Sequence, residues 1–312
     1  MEHDGATEGR MVLSPASSVN KIIECNVVNY CGRLFSPEDI QAIRKIIADH
    51  PDANRRLLSR LVCEQLNWLR PDNRSKEMSC RVAMLRMQRD DLITLPEARR
   101  PNVNNRKPLV LTKDSDPQIP VLVPVHLLGQ LRIEPVNKKN SSLWNQLIDR
   151  YHYLGYKPIP GAQMRYFVYC QNHQLLAVLS FGASAWKVKP RDTFIGWSQQ
   201  QRISNLHLIV NNSRFLILPW VSSKNLASRI LGILAKRIAD DWQACYKYRP
   251  LLLETFVQKD RFRGTCYRAA NWIHVGQTQG RGKLDSKHLD PVPVKDIFLY
   301  PLNKNFRQIL CA

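Results

Sequence analysis

The chain has 312 residues, enough for two domains of ordinary size, and its 44% hydrophobic and 23% charged residues exclude a wholly disordered protein. Its 46 Lys and Arg against 26 Asp and Glu leave a formal net charge of +20. A charge of this size favours a polyanionic partner, with nucleic acid as the first candidate. Because no apolar run approaches the roughly 20 residues of a membrane span, and no secretory pattern opens the chain, we expect a cytoplasmic protein with no membrane contact.

The predicted organisation has four segments. Residues 1–20 are small and polar, which is typical of a disordered tail, and 21–100 form a DNA-binding domain. Seven prolines lie between residues 96 and 137, so 101–137 is predicted to be a linker. Residues 138–312 form an α+β domain.

The first domain is predicted to contain three helices and a strand. Ser36 followed by Pro37 is typical of a helix N-terminus, and Asn54 and Ser75 are in position to cap the second and third helices. A turn then leads into a short strand at 92–96. This is the order of a winged helix-turn-helix, in which the third helix enters the DNA major groove and the strand forms the wing.

The third helix is therefore the expected contact with duplex DNA. Helical spacing places Met78, Val82 and Leu85 on its inner face. Basic residues near its N-terminus and along its length would hold the phosphates. These residues are Arg74, Lys76, Arg81 and Arg86. The alternative is a helical bundle with a solvated basic face.

The second domain alternates helices and strands, which predicts an α+β fold with a central mixed sheet. Its predicted helices cover 141–151, 225–242 and 262–270, and its predicted strands cover 165–170, 175–181, 205–210, 250–257 and 272–275. The strand at 250–257 is continuously apolar at 251–253, which indicates burial on both faces.

Several different blocks, rich in uncommon residue types, lie along this domain. They are HYLGY at 152–156, RY at 165–166, FGASAWK at 181–187, RDTFIGWS at 191–198, NNSRFLI at 211–217, LETFV at 253–257, RFRGTCYRAANW at 261–272 and GQTQGRG at 276–282. Together they resemble the DruA family of the Druantia anti-phage system, over most of residues 40–300. One departure is Gln258, where the family pattern has Asp. The resemblance implies a role in phage defence or mobile-element biology, with other proteins of such a system as partners.

The order of elements is also similar to that of GNAT-type acetyltransferases. In such folds the loop at 218–225 and the helix after it would hold a cofactor pyrophosphate, and Tyr267 would protonate a thiolate. This loop has no glycine to let its backbone approach a pyrophosphate closely, so the sequence argues against coenzyme A. A V-shaped split between two parallel strands beside the loop would favour an acyltransferase acting on nucleic acid or protein.

Residues 259–283 interleave basic and aromatic side chains, which is typical of a groove for single-stranded DNA or a distorted duplex. The basic residues of this predicted groove are Arg261, Arg263, Arg268, Arg281 and Lys283, and Lys224 in the loop at 218–225 is a further phosphate contact. The alternative is that the aromatic side chains belong to the core and the basic ones are solvated.

Catalysis is left open by the sequence, although several side chains are candidates for it. The carboxylates that could share Mg²⁺ in a transposase or nuclease are Asp192, Glu254 and Asp260. Glu254 lies in an apolar strand, where an unpaired carboxylate is costly, so an ion pair with Arg202 or Arg214 is the alternative. His152 at a helix end is a candidate general base, or a capping residue. The favoured function is DNA binding, with DNA processing as an addition.

Overall fold

In a computed structural model of the chain, residues 27–98, 109–280 and 292–312 are described. They divide into two compact units, a small unit within Met1–Trp68 and Ser75–Arg100 and a large unit within Leu69–Arg74 and Pro101–Ala312. The tail predicted at 1–20 lies outside the described residues. Across the described ranges, no helix is both long and apolar enough to cross a membrane.

The small unit consists of an antiparallel hairpin followed by three helices. The elements are β1 (Val28–Tyr30), β2 (Arg33–Phe35), α1 (Pro37–Asp49), α2 (Arg55–Gln65) and α3 (Glu77–Arg89). The predicted starts of the first two helices are confirmed. Ser36 caps α1 in a reciprocal capping box with Asp39, and the Asn54 side chain accepts hydrogen bonds from the first amides of α2.

The third helix differs from the prediction in its start and in its inner face. It begins after Lys76, whose amide donates to the Trp68 carbonyl (3.0 Å), so Ser75 does not cap it. Met78 is 66% exposed and Val82 is 37% exposed. The residues of α3 that are buried instead are Cys80, Ala83, Met84 and Met87. Both faces carry apolar side chains at helical spacing, so periodicity could not distinguish them.

The wing strand predicted at 92–96 is not formed. The Leu92 amide donates to the Met87 carbonyl, and the carbonyls of Leu92 and Pro96 accept from the side chains of Arg44 and Arg55, each at 2.8 Å. Arginine side chains thus take the place of a partner strand. Within residues 27–98 the hairpin precedes α1 and no strand follows α3, so the winged helix is not confirmed.

The large unit is built on a seven-stranded mixed sheet, which confirms the predicted α+β class. Its strands are β3 (Arg132–Pro135), β4 (Gln163–Tyr169), β5 (Leu175–Ala183), β6 (Ile209–Ile217), β7 (Leu252–Gln258), β8 (Ile273–Gln277) and β9 (Lys295–Pro301), in the order β3-β4-β5-β6-β7-β9-β8. Its helices are α4 (Ser141–Tyr151), α5 (Lys189–Ile195), α6 (Gln199–Asn205), α7 (Leu226–Tyr246), α8 (Thr265–Ala269) and α9 (Phe306–Leu310). The strand predicted at 205–210 begins later, because residues up to 208 form α6 and a helical turn.

Residues 109–137, expected to lie in the linker, belong to the large unit. They contain β3, which pairs with β4 along the edge of the sheet. Leu131 and Ile133 are buried in the main core, and Val121 forms a bridge with Val221. The apolar residues among the prolines therefore give this segment its place in the fold.

The two central strands run parallel because α7 connects them as a crossover, and they soon separate. β6 and β7 pair from Ile209 with Leu252 to Asn211 with Glu254. Beyond these residues β6 continues beside β5, and β7 continues beside β9. This is a V-shaped split between two parallel strands, the feature predicted to favour an acyltransferase.

Candidate functional site

The split between β6 and β7 opens a cavity of about 470 Å³. Residues 212–217 and 255–258 form its walls, and residues 151–154 and 261–267 complete them. The volume lies within the range of sites for small organic ligands, about 300–1,000 Å³. The cavity therefore has room for a ligand of nucleotide size.

The inner end of the cavity, where the strands begin to separate, is held together by buried hydrogen bonds. The Tyr267 hydroxyl donates to Asn212 Oδ1 (2.7 Å), and the Thr255 hydroxyl donates to the Asn212 carbonyl (3.0 Å). Burial raises the pKa of Tyr267. The Tyr267 proton, considered above as a source for a leaving thiolate, is engaged by Asn212 in this structure.

Three arginine side chains line the cavity, and a lysine lies on the strand paired with β7. The arginines are Arg214, Arg261 and Arg263, and Lys295 lies opposite Gln258 across the pairing of β7 with β9. Among the described residues, no carboxylate lies within ion-pair distance of any of the four. Burial lowers the pKa of Arg214 and of Lys295, and the charge of Arg214 lowers that of Lys295 further. The arrangement is suited to an anion.

Aromatic rings stand beside these cations. The ring centroids of Tyr153 and Phe262 are 5.4 Å apart, and the Arg261 guanidinium lies 4.7 Å from the Tyr153 centroid. Phe262 is 46% exposed at the rim of the cavity. An exposed ring such as that of Phe262, next to an arginine, can stack against a base of a nucleic acid.

His152 also lines the cavity, at the C-terminal cap of α4. Its Nδ1 accepts from the Leu154 amide (3.2 Å). Burial, followed by the charges of Arg214 and Arg261, lowers the pKa of His152 to about 4. The ring is therefore neutral at physiological pH, and because Nδ1 is an acceptor, Nε2 carries the proton. In this tautomer His152 offers a hydrogen-bond donor, at the helix end where it was predicted to be a general base or a capping residue.

The candidate metal ligand Glu254 has an ion-pair partner that the sequence analysis did not identify. Its side chain is fully buried, with Oε2 accepting from Arg191 (2.9 Å) and Oε1 from the Ala185 amide (2.8 Å). The predicted alternative was a pair with Arg202 or Arg214. Arg191 comes from α5, which was not predicted.

Asp192 and Asp260 lie in different surroundings. Asp192 accepts from Arg191 (2.8 Å) and lies 3.5 Å from Arg202. Asp260, just beyond β7, accepts from the side-chain Nε2 of Gln258 (3.2 Å). The structure thus brings Asp192 and Glu254 to one guanidinium and ties Asp260 to Gln258. Among the described residues, no group of three or more His, Cys, Asp and Glu side chains is arranged to hold a metal ion.

Two further predicted phosphate contacts, Lys224 and Arg268, do not line the cavity. Lys224 is exposed just before α7, and the Arg268 guanidinium lies 5.2 Å from the Phe298 ring centroid. Arg281 and Lys283 fall outside the described residues. Lys295, which the sequence analysis missed, belongs to β9, a strand it did not predict.

In the small unit, the predicted DNA contacts on α3 differ in their exposure. Arg86 is exposed and Arg81 is half-buried. Burial lowers the pKa of Lys76, which precedes the helix. Arg74 is exposed, and it belongs to the segment grouped with the large unit.

The loop at 218–225 is hydrogen-bonded to Val121 of the same unit. The Val121 amide donates to the Trp220 carbonyl (2.8 Å), and the Ser222 amide donates to the Val121 carbonyl (2.9 Å). Trp220 is buried. The Ser222 amide is thus already bonded within the protein, in the loop where a GNAT-type cofactor site would use free amides.

Solved structures similar to this chain include two of spermidine acetyltransferases from Vibrio cholerae. The first, spermidine/spermine N-acetyltransferase SpeG in complex with manganese ions, is 10% identical with a TM-score of 0.37, covering 57% of this chain and 96% of that one. The second, spermidine N-acetyltransferase in complex with CoA and spermine, is also 10% identical with a TM-score of 0.37, covering 55% of this chain and 96% of that one. No curated protein matches the sequence.

A family model does match the sequence. The model of Druantia protein DruA aligns with residues 86–290, which is more than half of the chain and includes β6, β7 and the residues lining the cavity. This protein belongs to the DruA family.

Proposed function

We propose that this protein binds single-stranded DNA in the cavity between β6 and β7, as its part in defence against phage. Membership of the DruA family supports the biological role. The observation that carries the biochemical role is the group of three arginines, Arg214, Arg261 and Arg263, that line a cavity rimmed by Tyr153 and Phe262.

The arginines of this site suit the phosphates of a DNA strand, and its aromatic rings suit the bases. Arginines bind phosphate oxygens through paired N–H groups, so the three arginines that line the cavity can hold a phosphate. Each base stacked on an aromatic ring contributes about 1–3 kcal/mol, with little dependence on sequence. The net charge of +20 would speed the encounter of the strand with the protein.

The test is a titration of labelled single-stranded DNA by fluorescence anisotropy over a series of salt concentrations. Loss of one phosphate contact in Arg214→Gln should weaken binding and reduce the slope of log K against log salt by about 0.7. Lys236→Gln removes the same charge from an exposed position on α7 outside the cavity and should leave the slope unchanged. Equal slopes for both variants would refute the proposal.

Processing of the strand is a separate question that the same samples can answer. Incubation with and without Mg²⁺, scored for cleavage, tests the nuclease or transposase alternative. Loss of Mg²⁺-dependent cleavage in Asp260→Asn, with DNA binding intact, would support a metal role for that carboxylate.

A second contact, with duplex DNA, is favoured by the exposed face of α3. Met78 and Val82 are exposed on this helix beside Arg86 and Arg89, and such a mixed face can contact thymine methyl groups and phosphates. Arg86→Glu should weaken duplex binding by about 1–3 kcal/mol, whereas Lys45→Glu on α1 should weaken it less. Equal losses would leave α3 with no special role.

The split itself favours an acyltransferase as the alternative function. Against it stand the loop at 218–225, which has no glycine, and the Ser222 amide already bonded to Val121. Calorimetric titration with acetyl-coenzyme A tests the acyltransferase alternative. Saturable binding that Arg214→Gln weakens would support the acyltransferase, and no binding heat would count against it.

A further inference from the structure

We infer that the cavity receives the phosphorylated end of a DNA strand rather than an internal stretch of one. The inference rests on the proposed function and names the form of DNA that the site prefers. Three features support it: the closed inner end of the cavity, the density of positive charge around it, and the neutral donor at His152.

The inner end of the cavity is closed. β6 and β7 are paired up to Asn211 and Glu254, and the next residues, Asn212 and Thr255, are joined to each other and to Tyr267 by hydrogen bonds. A strand that enters along the split meets this buried network. The groups there are satisfied within the protein, so the network forms an end wall rather than a path for the next nucleotide.

The positive charge is concentrated enough to favour a dianion. Arg214, Arg261 and Arg263 all line this one cavity, and the charges of Arg214 and Arg261 both lower the pKa of His152, which lines it too. An internal phosphodiester brings one negative charge, whereas a phosphate monoester at a strand end carries about −1.5 to −2 at pH 7. The monoester therefore neutralises these positive charges more completely than the diester.

His152 adds a donor that attracts phosphate without adding charge. Its Nδ1 is held by the Leu154 amide, so its Nε2–H is free to donate to a phosphate oxygen. Tyr153, stacked on His152 with a centroid distance of 4.9 Å, and Phe262 then lie where the terminal base can stack. One site thus holds the phosphate and the base of a single terminal nucleotide.

The experiment compares oligonucleotides of one sequence that carry a 5′-phosphate, a 3′-phosphate or hydroxyls at both ends. Charge-assisted hydrogen bonds to an additional phosphate should make one phosphorylated form bind about tenfold more tightly than the hydroxyl form. Deoxynucleoside monophosphate and inorganic phosphate are added as competitors. Stronger competition by the nucleotide would show that the base is also bound, and equal competition would remove the stacking role of Tyr153 and Phe262.

The variants separate this inference from the proposed function. Arg214→Gln, and Arg261→Gln at an exposed position that should tolerate substitution, should lose the preference for a phosphorylated end. Lys236→Gln should keep it. If the wild type binds all three strands equally while Arg214→Gln weakens all of them, the inference fails and the proposed function stands. If the wild type binds none of them, both fail.

Discussion

Replacement of Glu254 by Gln should destabilise the large unit strongly, because the carboxylate is half of a buried ion pair. Both of its oxygens accept hydrogen bonds, from Arg191 at 2.9 Å and from the Ala185 amide at 2.8 Å. Gln has nearly the same shape but only one acceptor oxygen. Its amino group would therefore face either the guanidinium or the Ala185 amide, placing two donors against each other.

The expected loss follows from what the substitution leaves behind. Breaking a buried ion pair by removing one partner costs about 3–5 kcal/mol, because the other charge stays buried. Arg191 keeps Asp192, which accepts from it at 2.8 Å, so we expect the lower end, about 3 kcal/mol. For a unit of this size, that loss corresponds to a decrease of about 6–12 °C in melting temperature.

Differential scanning calorimetry of the full chain measures this decrease. Glu134→Gln is the matched control, since it removes a carboxylate from the same sheet, where Glu134 pairs with Arg132 at 2.8 Å on the surface. That control should cost less than about 1 kcal/mol. A Glu254→Gln protein that melts with or above the wild type would refute the structural role and return Glu254 to the list of catalytic candidates.

Two further predictions concern the cavity and its surroundings. The pKa of His152 is about 4 in the folded protein and about 6.5 in the unfolded chain. Between these two pH values the unfolded state binds more protons than the folded state. The free energy of unfolding therefore decreases as the pH falls from about 6.5 to about 4. His152→Asn, which keeps an acceptor for the Leu154 amide, should remove about 1–2 kcal/mol of that decrease, after allowance for the partial exposure of the ring. Denaturant titrations at pH 7 and pH 4 measure the difference. An unchanged pH dependence would contradict the lowered pKa of His152. Gly264→Ala should cost about 2–4 kcal/mol, because Gly264 has φ +66° and a Cβ there would lie 2.6 Å from the Phe298 ring. Gly232→Ala in α7, where a Cβ meets nothing within 4 Å, should be stabilising by about 0.5–1 kcal/mol in the same melts, and equal effects at the two glycines would be inconsistent with the packing described.

Local signals in the sequence predicted much of the fold. Ser36 and Asn54 cap the first two helices as predicted, and the alternation of helices and strands predicted the mixed sheet. Where two interpretations shared one local pattern, the sequence could not choose. The helix α3 has apolar side chains on two faces, and only packing against the rest of the small unit decided that Cys80 is buried while Met78 is exposed.

The candidate site was harder to predict because it is made by residues far apart in the chain. Arg214 comes from β6 and Arg261 from the segment after β7, and both line the cavity because the two strands separate. Arg261 was found from its basic and aromatic neighbours. Lys295 has no such neighbours, and the partner of Glu254 could not be identified without the position of α5.

Photo-crosslinking tests the central claim most directly, because it reports where a bound strand lies. Single-stranded DNA containing 5-iodouracil at its ends is bound to the full-length protein, irradiated and digested, and the linked peptides are identified by mass spectrometry. A strand held in the cavity should give adducts on Tyr153 or Phe262 at its rim, and these should be lost in Arg214→Gln but not in Lys236→Gln. Adducts confined to the small unit, with none on residues 151–154 or 261–267, would contradict this claim.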